Sequence, residues 1–353
     1  MGSHLSLAVK PQFFKGTSRQ SHLLGFGLRH TVRPVLNVWA SLPHVILPLN
    51  FLDHIARLLP VHEGTMWRSV DLKDCRAEWL QAKGVDDIHA GNEKAILYFH
   101  GGGFLTCGLN THRRLVSRVS FASQQPVLNV DYRQMPHQPI INTIADCVDG
   151  FRWLVGQGYK PENITLAGDS AGGYLAFAVA RAVLDSGWGR PAGVVAMSPI
   201  LDLDPAGKAN HRNAHICQTF PLKAIARLTE VAARVEARHG VTGLRVDPVN
   251  MHMTNFPPSL IVIGSREILM ADAELMANRL VSAGVPCDLQ VWDRQVHVFQ
   301  AAAAWIPEGR AAIEEIGKFI AGLEGQETVE TVAPVAGAVR SRRVRSQGVS
   351  GVV

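Results

Sequence analysis

Gly168-Asp169-Ser170-Ala171-Gly172 sets a serine between two glycines. That pattern permits the sharp strand-to-helix turn that lifts a serine hydroxyl clear of a sheet, where it can act as a nucleophile. At average glycine usage it arises by chance in roughly one chain in ten of this length, so alone it decides little. The second signal is His100-Gly101-Gly102-Gly103. With no Cβ in the way, such a loop turns backbone N–H groups toward one point and stabilises charge developing on a carbonyl oxygen. One such donor is worth about 3 kcal/mol in acyl transfer. The amide of Ala171, next after the serine, supplies a further donor. A glycine triplet by itself reads as a flexible loop or a phosphate cradle; Ser170 turns the reading to acyl transfer.

A serine needs a base, and the base needs an acid to hold its tautomer. On a sheet of this kind the chain order is serine, acid, histidine. The histidines after Ser170 are His211, His215, His239, His252 and His297, and only His297 follows a late strand and precedes a C-terminal helical segment. It is the base by position. Glu267 follows another strand through Gly264-Ser265-Arg266 and is the acid of choice, ahead of Asp272, which is placed to cap the next helix, and Asp202. Asp293 stands too near His297 in the chain to pair easily.

Elements that place such loops must be strands feeding helices. Strand-like apolar runs occupy 95–99, 126–132, 164–167, 194–197, 260–263 and 289–292, and helical spacing runs over 144–155, 174–184, 273–283 and 311–323. This alternation predicts an α/β fold with a mostly parallel sheet covered on both faces. Two regions break it. Residues 1–85 form an N-terminal segment, and 204–256 form an insertion with a long helical stretch near 222–238; both are expected outside the sheet, as a cap over the site. The core is then 86–203 with 257–323, and 324–353 is a disordered basic tail.

The chain has 353 residues with 47% hydrophobic and 18% charged residues, the balance of a folded globular protein rather than a disordered one. Its net charge is +5, but Arg340, Arg342, Arg343 and Arg345 lie in a tail without acids, which leaves residues 1–330 at +1 and excludes a nucleic-acid footprint over the fold. Cys75, Cys107, Cys147, Cys217 and Cys287 are odd in number and include no CxxC pair, against a disulfide scaffold or a zinc site. No signal peptide is recognisable, and the expected location is cytoplasmic. Gly2 with Ser6 fits a loose acylation pattern best read as chance. The stretch 35–52 is apolar, but Asn37, Pro43, His44, Pro48 and Asn50 interrupt it, so it cannot span a bilayer. With the arginine-rich tail it leaves only weak peripheral contact with a membrane surface as an expectation.

Together these residues resemble the hormone-sensitive-lipase-like branch of the α/β-hydrolases over about 95–323. Beyond HGGGF at 100–104 and GDSAGG at 168–173, matching pieces include Asp131-Tyr132-Arg133 with Pro136, Ser198-Pro199 with Asp202-Leu203, and Pro257-Pro258. The resemblance implies Ser170 as nucleophile, Glu267 as acid and His297 as base. It implies oxyanion donors at Gly102, Gly103 and Ala171, with Gly101 as a further candidate, and a loop-shaping role for His100. It also implies a cap built from an N-terminal segment and a later insertion. The chain departs in carrying Glu where the family's acid is usually Asp, and Ile268 where Pro often follows. The implied activity is serine carboxylic-ester hydrolysis of small acyl esters of short to medium chain length, with no metal or organic cofactor. Amidase, deacetylase and thioesterase chemistry use the same triad, and a non-catalytic receptor is the remaining alternative.

Overall fold

Four segments, 95–99, 164–169, 193–197 and 259–264, are buried at every residue. Strands of this kind need cover on both faces, which a parallel sheet between two layers of helices provides. The structure, a computed structural model, describes residues 9–42 and 50–323; the expected acylation pattern, the segment 43–49 and the basic tail lie outside the described residues.

The strands in chain order are β1 (Gln12–Phe14), β2 (Met66–Asp71), β3 (Arg76–Gln81), β4 (Ala95–Phe99), β5 (Val127–Asp131), β6 (Ile164–Asp169), β7 (Gly193–Met197), β8 (Ser259–Gly264) and β9 (Cys287–Trp292). They form one sheet in the order β1-β9-β8-β7-β6-β4-β5-β3-β2. Every pairing is parallel except those of β3 with β2 and with β5.

The helices are α1 (Arg19–His30), α2 (Val32–Ser41), α3 (Asn50–Ala56), α4 (Leu109–Ser123), α5 (Ile140–Gly156), α6 (Ala171–Asp185), α7 (Ala206–Ala209), α8 (Leu222–Arg238), α9 (Met270–Ser282) and α10 (Pro307–Gly322). The four expected helices α5, α6, α9 and α10 each start three or four residues earlier than the apolar spacing predicts, and for two of them a proline sets the entry: Pro139 precedes α5, and Pro307 is the first residue of α10. No helix of the described residues is long and apolar enough to cross a membrane.

The expectation that residues 1–85 lie outside the sheet is corrected, since β1, β2 and β3 belong to it. These strands carried a weak pattern for a physical reason. β2 is an edge strand with one buried residue in six, and β1 is three residues long, so neither shows the apolar run of a central strand. The helices of the same region behave differently. α2 packs against α8, and Lys223 Nζ at the start of α8 donates to Ser41 Oγ at the end of α2 over 3.1 Å. Asp53 ties α3 to the start of α4: its carboxylate accepts from the Thr111 N–H at 2.8 Å and from Asn110 Nδ2 at 2.7 Å.

Candidate active site

Ser170 occupies the one-residue turn between β6 and α6 with φ 54° and ψ −115°. A side-chain-bearing residue held there costs about 1–3 kcal/mol, so its surroundings must enforce the conformation. They do so from β7: the Ser170 N–H donates to Met197 O at 2.8 Å, and the Ile200 N–H donates to Ser170 O at 3.2 Å. The turn also brings α6 hard against β4. A Cβ on Gly172 would sit 1.8 Å from Phe99 O, so only glycine permits the approach.

Glu267 follows β8 and His297 follows β9, and the fold joins them. His297 Nδ1 donates to Glu267 Oε2 at 2.8 Å, a bond that in the neutral imidazole makes Nε2 the nitrogen open to a proton. The other carboxylate oxygen, Oε1, accepts from Gly264 N–H at 2.7 Å and from Ser198 Oγ at 2.7 Å. Asn213 Nδ2 donates to the Glu267 carbonyl at 2.8 Å, and the Phe220 ring meets the His297 ring edge-on with centroids 4.7 Å apart.

Ser170 and His297 line one cavity of about 470 Å³, with Gly102 and Gly103 in the same wall. Most of the remaining wall is apolar, with Val32, Leu36 and Trp39 from α2 and Ile225 and Leu228 from α8, while Thr106, Thr111, His112 and Asp169 add polar groups. Cys107 also faces it, but burial first, then Asp169, pushes that thiol up to about 11, so it is no rival nucleophile. A second hollow of about 550 Å³, walled by Arg57, Arg68, Arg76 and Arg113, shares no residue with this cavity.

The rival acids are engaged elsewhere. Asp272 forms a buried pair with Lys208 at 2.7 Å and accepts from Leu201 N–H; burial pushes its carboxyl up to about 6 against the pull of Lys208. Asp202 accepts from Asp204 N–H, and Asp293 accepts from Thr17 Oγ1.

The family model for the α/β hydrolase fold matches residues 96–301. The chain belongs to that family. This α/β-hydrolase is 42% identical over 292 residues to esterase LipU of Mycobacterium tuberculosis, covering 82% of this chain and 98% of the relative. It is 35% identical over 339 residues to carboxylesterase/phospholipase LipF of the same organism, covering 95% of this chain and 90% of the relative. Among solved structures, an esterase of the bacterial hormone-sensitive lipase family superposes with a TM-score of 0.75 at 29% identity, covering 88% of this chain and all of that one.

Within the hydrolase, the 100–103 loop is held by groups that sequence reasoning passed over. The Gly101 N–H donates to Asp169 Oδ1 at 3.2 Å, which removes Gly101 from the donors free to meet a substrate oxygen. The same oxygen accepts from Tyr98 OH at 2.7 Å, and Oδ2 meets Nε2 of His112 on α4 at 3.2 Å. Burial opposes charge on both partners of this pair. Their mutual attraction outweighs it, so Asp169 sits below and His112 above its ordinary value. His100 is wholly buried. Burial, then the neighbouring His112, lowers it to about 4, its Nδ1 donates to Gly101 O at 2.7 Å, and its ring stacks on Tyr132 at 4.2 Å.

An acid in the middle of an otherwise small-residue motif was the available signal for Asp169. Ser198 stood inside a recognised Ser-Pro piece, but nothing local tells that its hydroxyl meets residues 69 and 100 positions away.

Proposed function

We propose that this α/β-hydrolase is a serine carboxylic-ester hydrolase acting on small acyl esters of short to medium chain length. The observation that carries the reading is the strained Ser170 in one apolar cavity with the His297–Glu267 pair. Ser170 Oγ attacks the ester carbonyl while His297 Nε2 takes its proton, and the tetrahedral oxyanion is met by the N–H groups of Gly102, Gly103 and Ala171. As the first residue of α6, Ala171 has an amide with no carbonyl in its own helix to bond. His297 then gives the proton to the leaving alcohol, and water, deprotonated by the same histidine, hydrolyses the acyl-serine. Side chains and water balance the reaction throughout.

Glu267 takes the family's usual aspartate role through its longer reach, supported by Ser198 and Gly264. The α2 and α8 helices form the cap whose apolar lining receives the acyl chain. Five free cysteines fit a reducing, cytoplasmic location.

The test is hydrolysis of a p-nitrophenyl ester series from acetate to palmitate, run beside Ser170→Ala. The expected result is an optimum at short to medium chains that disappears in the variant. Full activity in Ser170→Ala sinks the mechanism, and amide or thioester turnover exceeding that of esters replaces the substrate class.

A further inference from the structure

The two N-terminal helices each have an inner and an outer side. On α2, Trp39 is buried and Val32 and Leu36 line the cavity, while Val35 and Val38 point outward, Val38 being 61% exposed. On α1, Leu23 (72% exposed) and Phe26 (60% exposed) share a face with Arg19 and His30, at the i, i+3 and i+4 spacing of one helix side. Trp305, 71% exposed, stands beside α1, sharing a shallow groove with Leu24 and Leu28. Single exposed apolar residues are ordinary, but a cluster of large ones marks a surface that meets something.

Charge names the partner. Residues 9–42 carry Lys10, Lys15, Arg19, Arg29 and Arg33 and no Asp or Glu, and the first acid of the chain is Asp53. Together with the four arginines of 340–345 these exceed the net +5, so the chain between 53 and 330 is net acidic. Arg19 and Arg29 on α1 and Arg33 on α2 put cationic charge on the helices that bear the exposed apolar side chains, and Lys10 and Lys15 flank β1. Glu308, the acid that reaches α1, is used there by Ser18 Oγ at 3.0 Å and Ser21 Oγ at 2.8 Å. Apolar residues flanked by cations, on helices laid against the fold, match the interface of an anionic bilayer. There the side chains enter the headgroup boundary and the cations meet lipid phosphates. A tryptophan at the rim suits the same depth, with an apolar body and a polar N–H.

We infer that the outer faces of α1 and α2, with Trp305, form a docking surface for anionic phospholipid bilayers, placing the helix that lines the Ser170 cavity at the lipid interface. The binding is independent of the catalytic reading.

The full chain is sedimented with vesicles of phosphatidylcholine with and without phosphatidylglycerol at low ionic strength, and its tryptophan emission is followed. The chain is expected to bind the phosphatidylglycerol vesicles in preference, with a blue shift that Trp305→Phe removes. R19Q/R29Q is expected to weaken partitioning about 25-fold, taking roughly fivefold per interfacial cation, and L23S/F26S to weaken it separately. All four positions are exposed, and unchanged hydrolysis of soluble p-nitrophenyl acetate confirms that the variants fold. A chain with Arg340, Arg342, Arg343 and Arg345 changed to Gln retains the Trp305 shift. No sedimentation overturns the inference, and so does binding that survives R19Q/R29Q and L23S/F26S but is lost in the tail variant.

Discussion

Ser198 offers the sharpest test of how the acid is held. It is fully buried just past β7, and its hydroxyl donates to Glu267 Oε1 at 2.7 Å while accepting from Val298 N–H at 3.0 Å. One oxygen thus links the acid to the residue after the base. Ser198→Ala removes a hydrogen bond to a carboxylate, worth about 1.5–3 kcal/mol, and strands a partly buried N–H at a further cost of about 1–3 kcal/mol. Glu267 is not set free, because the Gly264 N–H still holds Oε1 at 2.7 Å and His297 still holds Oε2. Only part of the loss should therefore reach the transition state. The expected outcome is a kcat about tenfold lower, near 1.4 kcal/mol, with KM unchanged because Ser198 does not face the cavity.

Ser198 also sits at φ 46°, so Ser198→Gly separates hydroxyl from backbone. Glycine relieves a strain of about 1 kcal/mol or more and should recover stability in urea unfolding, yet its kcat should match that of the alanine variant. The assay is steady-state hydrolysis of p-nitrophenyl butyrate across the three proteins. A kcat within twofold of wild type in both variants, or one restored by glycine, would refute the positioning role.

Gly102→Ala places a Cβ 1.9 Å from Thr106 O at φ +117°, so the oxyanion loop must shift; kcat should fall at least about 100-fold in the same assay, and near-normal turnover would remove Gly102 from the site. Glu267→Asp shortens the side chain by about 1.5 Å, too much to keep both His297 and the Ser198–Gly264 pair. A kcat loss of about 100-fold is expected, and unaltered kcat would show that the loop adapts to the family's usual acid. The Asp169–His112 pair makes a stability prediction with a defined sign. His112 is raised from 6.5, so its contribution is complete below that value and is lost as pH rises through its folded pKa. Asp169 is lowered from 3.8, so its contribution is present above that value and is lost as pH falls through its folded pKa. The pair therefore stabilises most between those two values. Asp169→Asn should cost about 3 kcal/mol at pH 5 in urea unfolding, with a gap that narrows as pH rises past the folded value of His112. A gap independent of pH would show that His112 carries no charge there.

The sequence by itself determined the parts of this protein that depend on local geometry. A nucleophile turn needs small residues within one or two positions, an oxyanion loop needs consecutive glycines, and central strands of a parallel sheet need unbroken apolar runs, so Ser170, the 100–103 loop and β4 through β9 were legible. That the side chains of His297 and Glu267 meet was legible because chain order in a doubly covered sheet assigns loops to strand ends. Tertiary structure decided what rests on contacts between distant segments. Pairing places β2 and β3 in the sheet without an apolar run to announce them: β2 is mostly exposed, and β3 sets the buried Glu78 between Ala77 and Trp79. The Gly101 amide turns to Asp169 rather than to the cavity, Asp272 is claimed by Lys208, and Ser198 braces the acid from another strand. A hydrogen bond is directional and short, and which of several similar polar side chains comes within 3 Å of another is settled only when the packed sheet fixes both backbones.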